Sequence, residues 1–115
     1  MALFNELLFR SIDVQPTAGT VSATGARLTS YYISNHNASA PVFLKVYDKA
    51  TGATTTDSPK VTFEIPAGGA ANMAGLNWLF SSGISIRGTT DRADNGSAAP
   101  TAGDLIVNIG YTNQS

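Results

Sequence analysis

The stretch Tyr31–Lys49, YYISNHNASAPVFLKVYDK, constrains this chain more than any other. Tyr31, Ile33 and Asn35 alternate with Tyr32, Ser34 and His36. After Asn37–Pro41, Val42, Leu44 and Val46 alternate with Phe43, Lys45 and Tyr47. Aromatic and β-branched residues on a period of two, broken by small and turn-forming residues, predict a strand, a connection and a second strand. The connection has no two-residue Asn-Gly-type signal. A hairpin and a crossing between two sheets both stay open.

The same alternation recurs downstream. Strands are expected at Arg27–His36, Val42–Lys49, Lys60–Ile65, Ala70–Ala74, Ile84–Thr90 and Leu105–Tyr111. Leu105, Val107, Ile109 and Tyr111 share one face, as a core strand requires. Pro66-Ala67-Gly68-Gly69 ends one strand, because proline cannot continue a ladder. Ala50–Pro59 and Asp91–Gly103 read as polar loops and Gly75–Gly83 as an apolar one. Lys45, Lys60, Glu64 and Arg87 are expected to face solvent as gatekeepers against edge pairing. Seven or eight short strands without a convincing internal helix imply an all-β, single-domain antiparallel β-sandwich. Jelly-roll and immunoglobulin-like strand orders are both compatible with it.

Residues 27–115 form that expected sandwich, preceded by an N-terminal arm and linker over residues 1–26. Leu3, Phe4, Leu7 and Leu8 fall at helical spacing, while Phe4, Leu8, Ile12 and Val14 lie on one face of a strand. Too short for a stable lone helix, the segment must dock on something. It either closes the domain's own core or packs as an arm on a neighbouring subunit. Pro16–Gly25 reads as an extended linker.

Charge and composition exclude several classes of function. At 115 residues the chain buries one core. With 7 basic and 8 acidic residues it has no electrostatic footprint for nucleic acid or an anionic membrane. Only 13% of residues are charged, about half the usual share. Ala, Ser, Thr and Gly fill the gap, which suits turns and flat contact faces. No cysteine is present, which fits folding in a reducing cytosol. The N-terminus lacks the basic start and long apolar core of an export signal. Nor does any stretch approach the roughly 20 apolar residues that span a bilayer. A soluble protein made in the cytoplasm is expected.

Little in the chain points to chemistry. His36 is the only histidine, so no histidine-based metal cluster or Ser-His-Asp triad assembles within one chain. Between Asn35 and Asn37 it is expected to serve in a hydrogen-bonded turn. Asp91, Asp94, Asn95 and Asp104 are the best calcium candidates, but DRADNG lacks the EF-hand spacing. No catalytic residue, metal or cofactor is expected. Trp78 and Phe80, in GLNWLFSSG, either cap the sandwich or form an exposed apolar contact. Leu3, Phe4, Leu7, Leu8, Trp78 and Phe80 are therefore the candidate partner contacts.

The runs YYISNHNASAPVFLKVYDKAT, VTFEIPAGGAANM, SSGISIRGTTDRADN and AGDLIVNIGYTN resemble small proteins of tailed bacteriophages, those of cyanobacteria among them. The resemblance covers Tyr31 to Asn113 and leaves residues 1–27 unmatched. Its best marks are Lys45–Thr51, Ile65–Gly69 and Asp104–Ile109, strand-and-turn patterns without a catalytic signature. It implies a β-sandwich virion component, a capsid cement (decoration) protein that binds neighbouring major capsid protein subunits. Trp78 has no counterpart in it. The expectation is thus a non-enzymatic, homo-oligomeric structural protein, dimer or trimer, on the capsid surface. Its arm would add a strand to a neighbour's exposed edge. The alternative is a receptor- or carbohydrate-binding tip module of a tail fibre, with Trp78, Tyr31, Tyr32 or Tyr47 as the sugar platform.

Overall fold

A computed structural model of the chain describes residues 6–113. Among the described residues there are nine strands: β1 Leu7–Ser11, β2 Gly19–Ser22, β3 Ala26–Asn35, β4 Val42–Asp48, β5 Val61–Ile65, β6 Ala70–Met73, β7 Trp78–Phe80, β8 Ile84–Thr89 and β9 Leu105–Asn113. Sheet A runs β1-β9-β3-β6, and β7 also pairs with β3. Sheet B runs β2-β8-β4-β5. All pairings are antiparallel. The expected β-sandwich is what the chain forms.

The strand order resolves the choice between topologies. β6 and β7 lie one after the other along the same edge of β3, opposite Tyr31–Ser34 and Ala26–Leu28. Taken as one interrupted strand, they leave four nested antiparallel pairs: β1 with β9, β2 with β8, β3 with β6/β7, and β4 with β5. A long nested hairpin wrapped into two sheets, closed by the β9–β3 and β8–β4 pairings, is the jelly roll.

Between the sheets lies one apolar core. Ile33, Leu44, Val46, Ile65, Ile84, Leu105 and Val107 are buried there, with Val14 and Val21 from the N-terminal segment. The segment expected as arm and linker is therefore part of the sandwich. β1 pairs with β9 from Leu7↔Tyr111 to Ser11↔Val107, and β2 pairs with β8. Its small residues, GTVS, gave β2 no visible periodicity. Gly75–Gly83 contains the further short strand β7.

β3 and β4 do not form a hairpin. They belong to different sheets, and residues 36–41 cross between them. The buried amide of Asn35 holds this crossing. Its Nδ2 donates to the carbonyls of Ala40 and Ile65, at 2.9 and 3.1 Å, and its Oδ1 accepts from Asn37 N at 2.8 Å. Asn37 Oδ1 in turn accepts from Ser39 N and Ala40 N, and its Nδ2 donates to Asp104 Oδ2 at 3.1 Å. Gly68 N donates to Asn37 O, and Asn35 N to Gly69 O. Two of the marks that carry the phage resemblance, IPAGG and the DLIVNI run, thus meet the SNHNASA crossing at one end of the sandwich. They are structural fastenings.

Candidate partner-binding surfaces

The two outer faces differ. On sheet B, every residue from Val42 to Tyr47 and from Ile84 to Thr89 is buried, so both faces of β4 and β8 are covered. The outward side chains include Lys45 and Arg87, cross-strand neighbours that are 0% and 2% exposed. This corrects the expectation that both face solvent; Lys60 and Glu64 are exposed, as expected. Loops provide the roof. Residues 91–98 form a strap closed by Thr90 N→Ala98 O and by Ala98 N donating to Asp91 Oδ2. Lys45 Nζ donates to Ala93 O beneath it. Arg87 donates to Pro16 O at 2.7 Å, to Tyr47 Oη at 3.0 Å and to Gly96 O at 3.0 Å. Gly96 is needed there: a Cβ would sit 2.4 Å from Asp91 Cβ.

Backbone carbonyls and the Tyr47 hydroxyl thus hold the two buried cations in place, with no carboxylate among their hydrogen-bond partners. Burial holds the Lys45 ammonium below its ordinary pKa, and the Arg87 charge adds to this against the pull of Asp91 and Asp94. Tyr47, 1% exposed and bonded to Arg87, is withdrawn from the sugar-platform candidates.

Among the described residues, no such roof lies over the middle of sheet A. Leu8 is 79% exposed and Tyr32 48%, and Met73 at the end of β6 is 50% exposed. In register, Leu8 lies opposite Gly110, and Tyr32 lies between Asn108 and Asn72. These residues line a groove of about 310 Å³. Gly110 makes its floor; a Cβ there would come within 2.2 Å of Ser30 Oγ. Glu6 accepts hydrogen bonds from Thr29 and Ser30 at one side of it.

The other candidates divide. Leu7 and Leu8, on the edge strand β1, are exposed, and Ile12 beyond it is 55% exposed. Leu3 and Phe4 lie outside the described residues. Phe80 is fully buried opposite Ala26 and belongs to the core, which removes it as a contact. Trp78 is half-buried, stacked on Phe63 at 6.3 Å and 9° with Tyr31 beside them. The trio closes the open side between β5 and β7. A small apolar hollow of about 260 Å³ remains between Trp78, Val61 and Lys60. His36 is exposed, its ring Nε2 lies 3.2 Å from Ser34 Oγ, and its backbone N–H donates to Asp104 O. Of the calcium candidates, Asp91 is tied into the strap and Asp104 into the crossing, so the fold does not bring them together. Among the described residues no group of three His, Cys, Asp or Glu side chains is placed to hold a metal.

No family model and no curated protein matches the chain. Among solved structures, a chain of the Bacillus endospore appendages, described as a novel family of disulfide-linked pili, is similar at a TM-score of 0.43. It shares 17% identity, over 97% of this chain and 88% of that one. A likeness at that level bears on neither function nor partner.

Sequence reasoning offered Tyr32 only as a sugar platform of the alternative reading and did not single out Met73, which is 50% exposed at the sheet edge. Tyr32 sat in plain alternation opposite Ile33. The missing information was which side of β3 would be left without a roof.

Proposed function

We propose that this chain is a non-enzymatic structural protein of a phage head, a decoration protein that seats the outer face of sheet A across neighbouring major capsid protein subunits. The observation that carries the reading is the groove around Leu8 and Tyr32, bare among the described residues, on a sandwich whose other face is roofed by its own loops. Exposed apolar side chains rimmed by Ser and Asn mark protein contact surfaces. A stable contact buries ~800 Å² per partner. The molecule's two longer dimensions, 49 and 28 Å, leave room for that on one face. Weak contacts repeated over an assembled lattice act together, and a protein that binds only the assembled shell stabilises it by mass action. Association into dimers or trimers and synthesis in the host cytoplasm belong to the same reading.

In this reading β1 is a sheet strand with an exposed Leu8, not a free arm. Deleting residues 1–14 would strip β9 of one of its two partners and confound any binding test. Electron microscopy of intact virions carrying a label on this chain is the direct test. Density on the head lattice is expected; density at the tail tip, or none, would overturn the proposal. The half-exposed Trp78 favours a second reading, a sugar-binding tip module. A glycan array that responds to the native chain and not to Trp78→Ala would support it.

A further inference from the structure

The roof over sheet B has a gap. A cleft of about 490 Å³ opens between residues 16–18, residues 52–55 and Ser97, and Arg87 forms part of its wall. The guanidinium has five N–H donors. Three are engaged, by Pro16 O, Tyr47 Oη and Gly96 O. Among the described residues, the second N–H of each Nη has no protein acceptor. No carboxylate lines the cleft. Arg92–Glu64 lies elsewhere, and the Asp57 carboxylate, which accepts from Thr54 of the cleft wall, is neutralised by Lys49 at 2.8 Å. Asp91 and Asp94 act on Lys45, on the strap side of the pair. The rim carries the hydroxyls of the exposed residues Thr17, Thr55 and Ser97.

We propose that this cleft is a carboxylate-binding site, with Arg87 as the anchor and the Thr17, Thr55 and Ser97 hydroxyls as further donors. Two N–H groups on one planar fork match the two oxygens of a carboxylate, and such pairs are the strongest of the ordinary hydrogen-bonded contacts. Arg87 is 2% exposed and held in place by its three protein acceptors, so the anchor is pre-positioned at the cleft wall. The same chemistry is presented by a free small carboxylate and by an aspartate or glutamate side chain of a partner. This site is on the opposite face from the groove of sheet A and stands independently of the head-decoration proposal.

The test is an NMR titration of the full isotopically labelled chain, following the Arg87 Nε–Hε signal and the Ser97 amide. The ligands are sodium acetate and a blocked Gly-Glu-Gly peptide. Sodium chloride at matched ionic strength and the corresponding Gln peptide are the controls. Saturable shifts with a carboxylate ligand and none with its control are expected. A response to both ligands assigns the site to carboxylates in general; a response to the peptide alone assigns it to a protein side chain. Ser97→Ala keeps the Arg87 contacts intact and should weaken binding about tenfold, the effect of losing one hydrogen bond to a charged group. Absence of saturable shifts, equal shifts with chloride, or an unchanged affinity in Ser97→Ala would overturn the proposal.

Discussion

On the outer face of sheet B, Lys45 and Arg87 are 0% and 2% exposed; on that of sheet A, Leu8 and Tyr32 are 79% and 48% exposed. Charged side chains lie beneath a roof and apolar ones lie in the open, the reverse of what residue type alone dictates. The difference is made by connections. In sheet B, the strap and the segment at Pro16 lie across the strands and turn carbonyls down onto the two cations. In sheet A the connections stay at the ends and sides, where the crossing at Asn35 and the Trp78 cluster gather them. Exposure is a property of what the loops cover, and an uncovered apolar face is where a partner gains most by binding.

The largest expected effect tests the roof. Arg87→Ala leaves Pro16 O, Gly96 O and the Tyr47 hydroxyl without their donor. The Tyr47 bond is buried and the other two are part-buried; a buried orphan costs about 1–3 kcal/mol and the part-buried ones less, so urea unfolding should show a loss of about 2–4 kcal/mol. A loss below about 1 kcal/mol would mean the roof is not fastened as described. Gly96→Ala should cost about 1–3 kcal/mol, because the strap must shift to clear Asp91. Hydrogen exchange over residues 90–98 should rise in the same variant. If it does not, the strap is more adaptable than its close approach implies.

A smaller effect follows from the Lys45 ammonium. Its pKa is lowered in the fold, first by burial and then by Arg87. The unfolded chain therefore binds more protons in the window between the lowered value and the ordinary lysine pKa of about 10.4. Stability of the native chain relative to Lys45→Met should rise as pH climbs through that window. A difference that is flat with pH, or that falls, would place the ammonium in water. Smallest of all, Tyr32→Ser should change stability by no more than about 0.5 kcal/mol, the usual range for a surface site. A larger loss would show that Tyr32 packs within its own chain.

Much of the fold was legible because period-two alternation survives wherever one side of a strand meets the core. Leu105, Val107 and Ile109 are buried as their alternation requires, and β4, β5 and β8 begin within one residue of expectation. β2 and β7 were not legible, since GTVS has too few large side chains to mark a face and WLF has no polar alternation. Lys45 and Arg87 misled because their cover comes from residues 91–98 and from Pro16, at distances along the chain that local pattern does not register. One sign was present: Lys45 sits between Phe43 and Tyr47 on the same side of its strand, and a face with aromatic residues at both neighbouring positions is seldom left to water. Of the candidate contacts, Leu7 and Leu8 are exposed, whereas Phe80 is in the core. Composition cannot separate an apolar residue that fills a core from one that awaits a partner.

The central claim is that the bare face of sheet A docks on an assembled capsid. Co-sedimentation of the native chain and of Leu8→Ser/Tyr32→Ser with expanded phage heads tests it most directly. The native chain should pellet with the heads, while the double variant, with an unchanged unfolding temperature, should remain in the supernatant. A native chain that stays in solution, or a double variant that pellets to full occupancy, would contradict it.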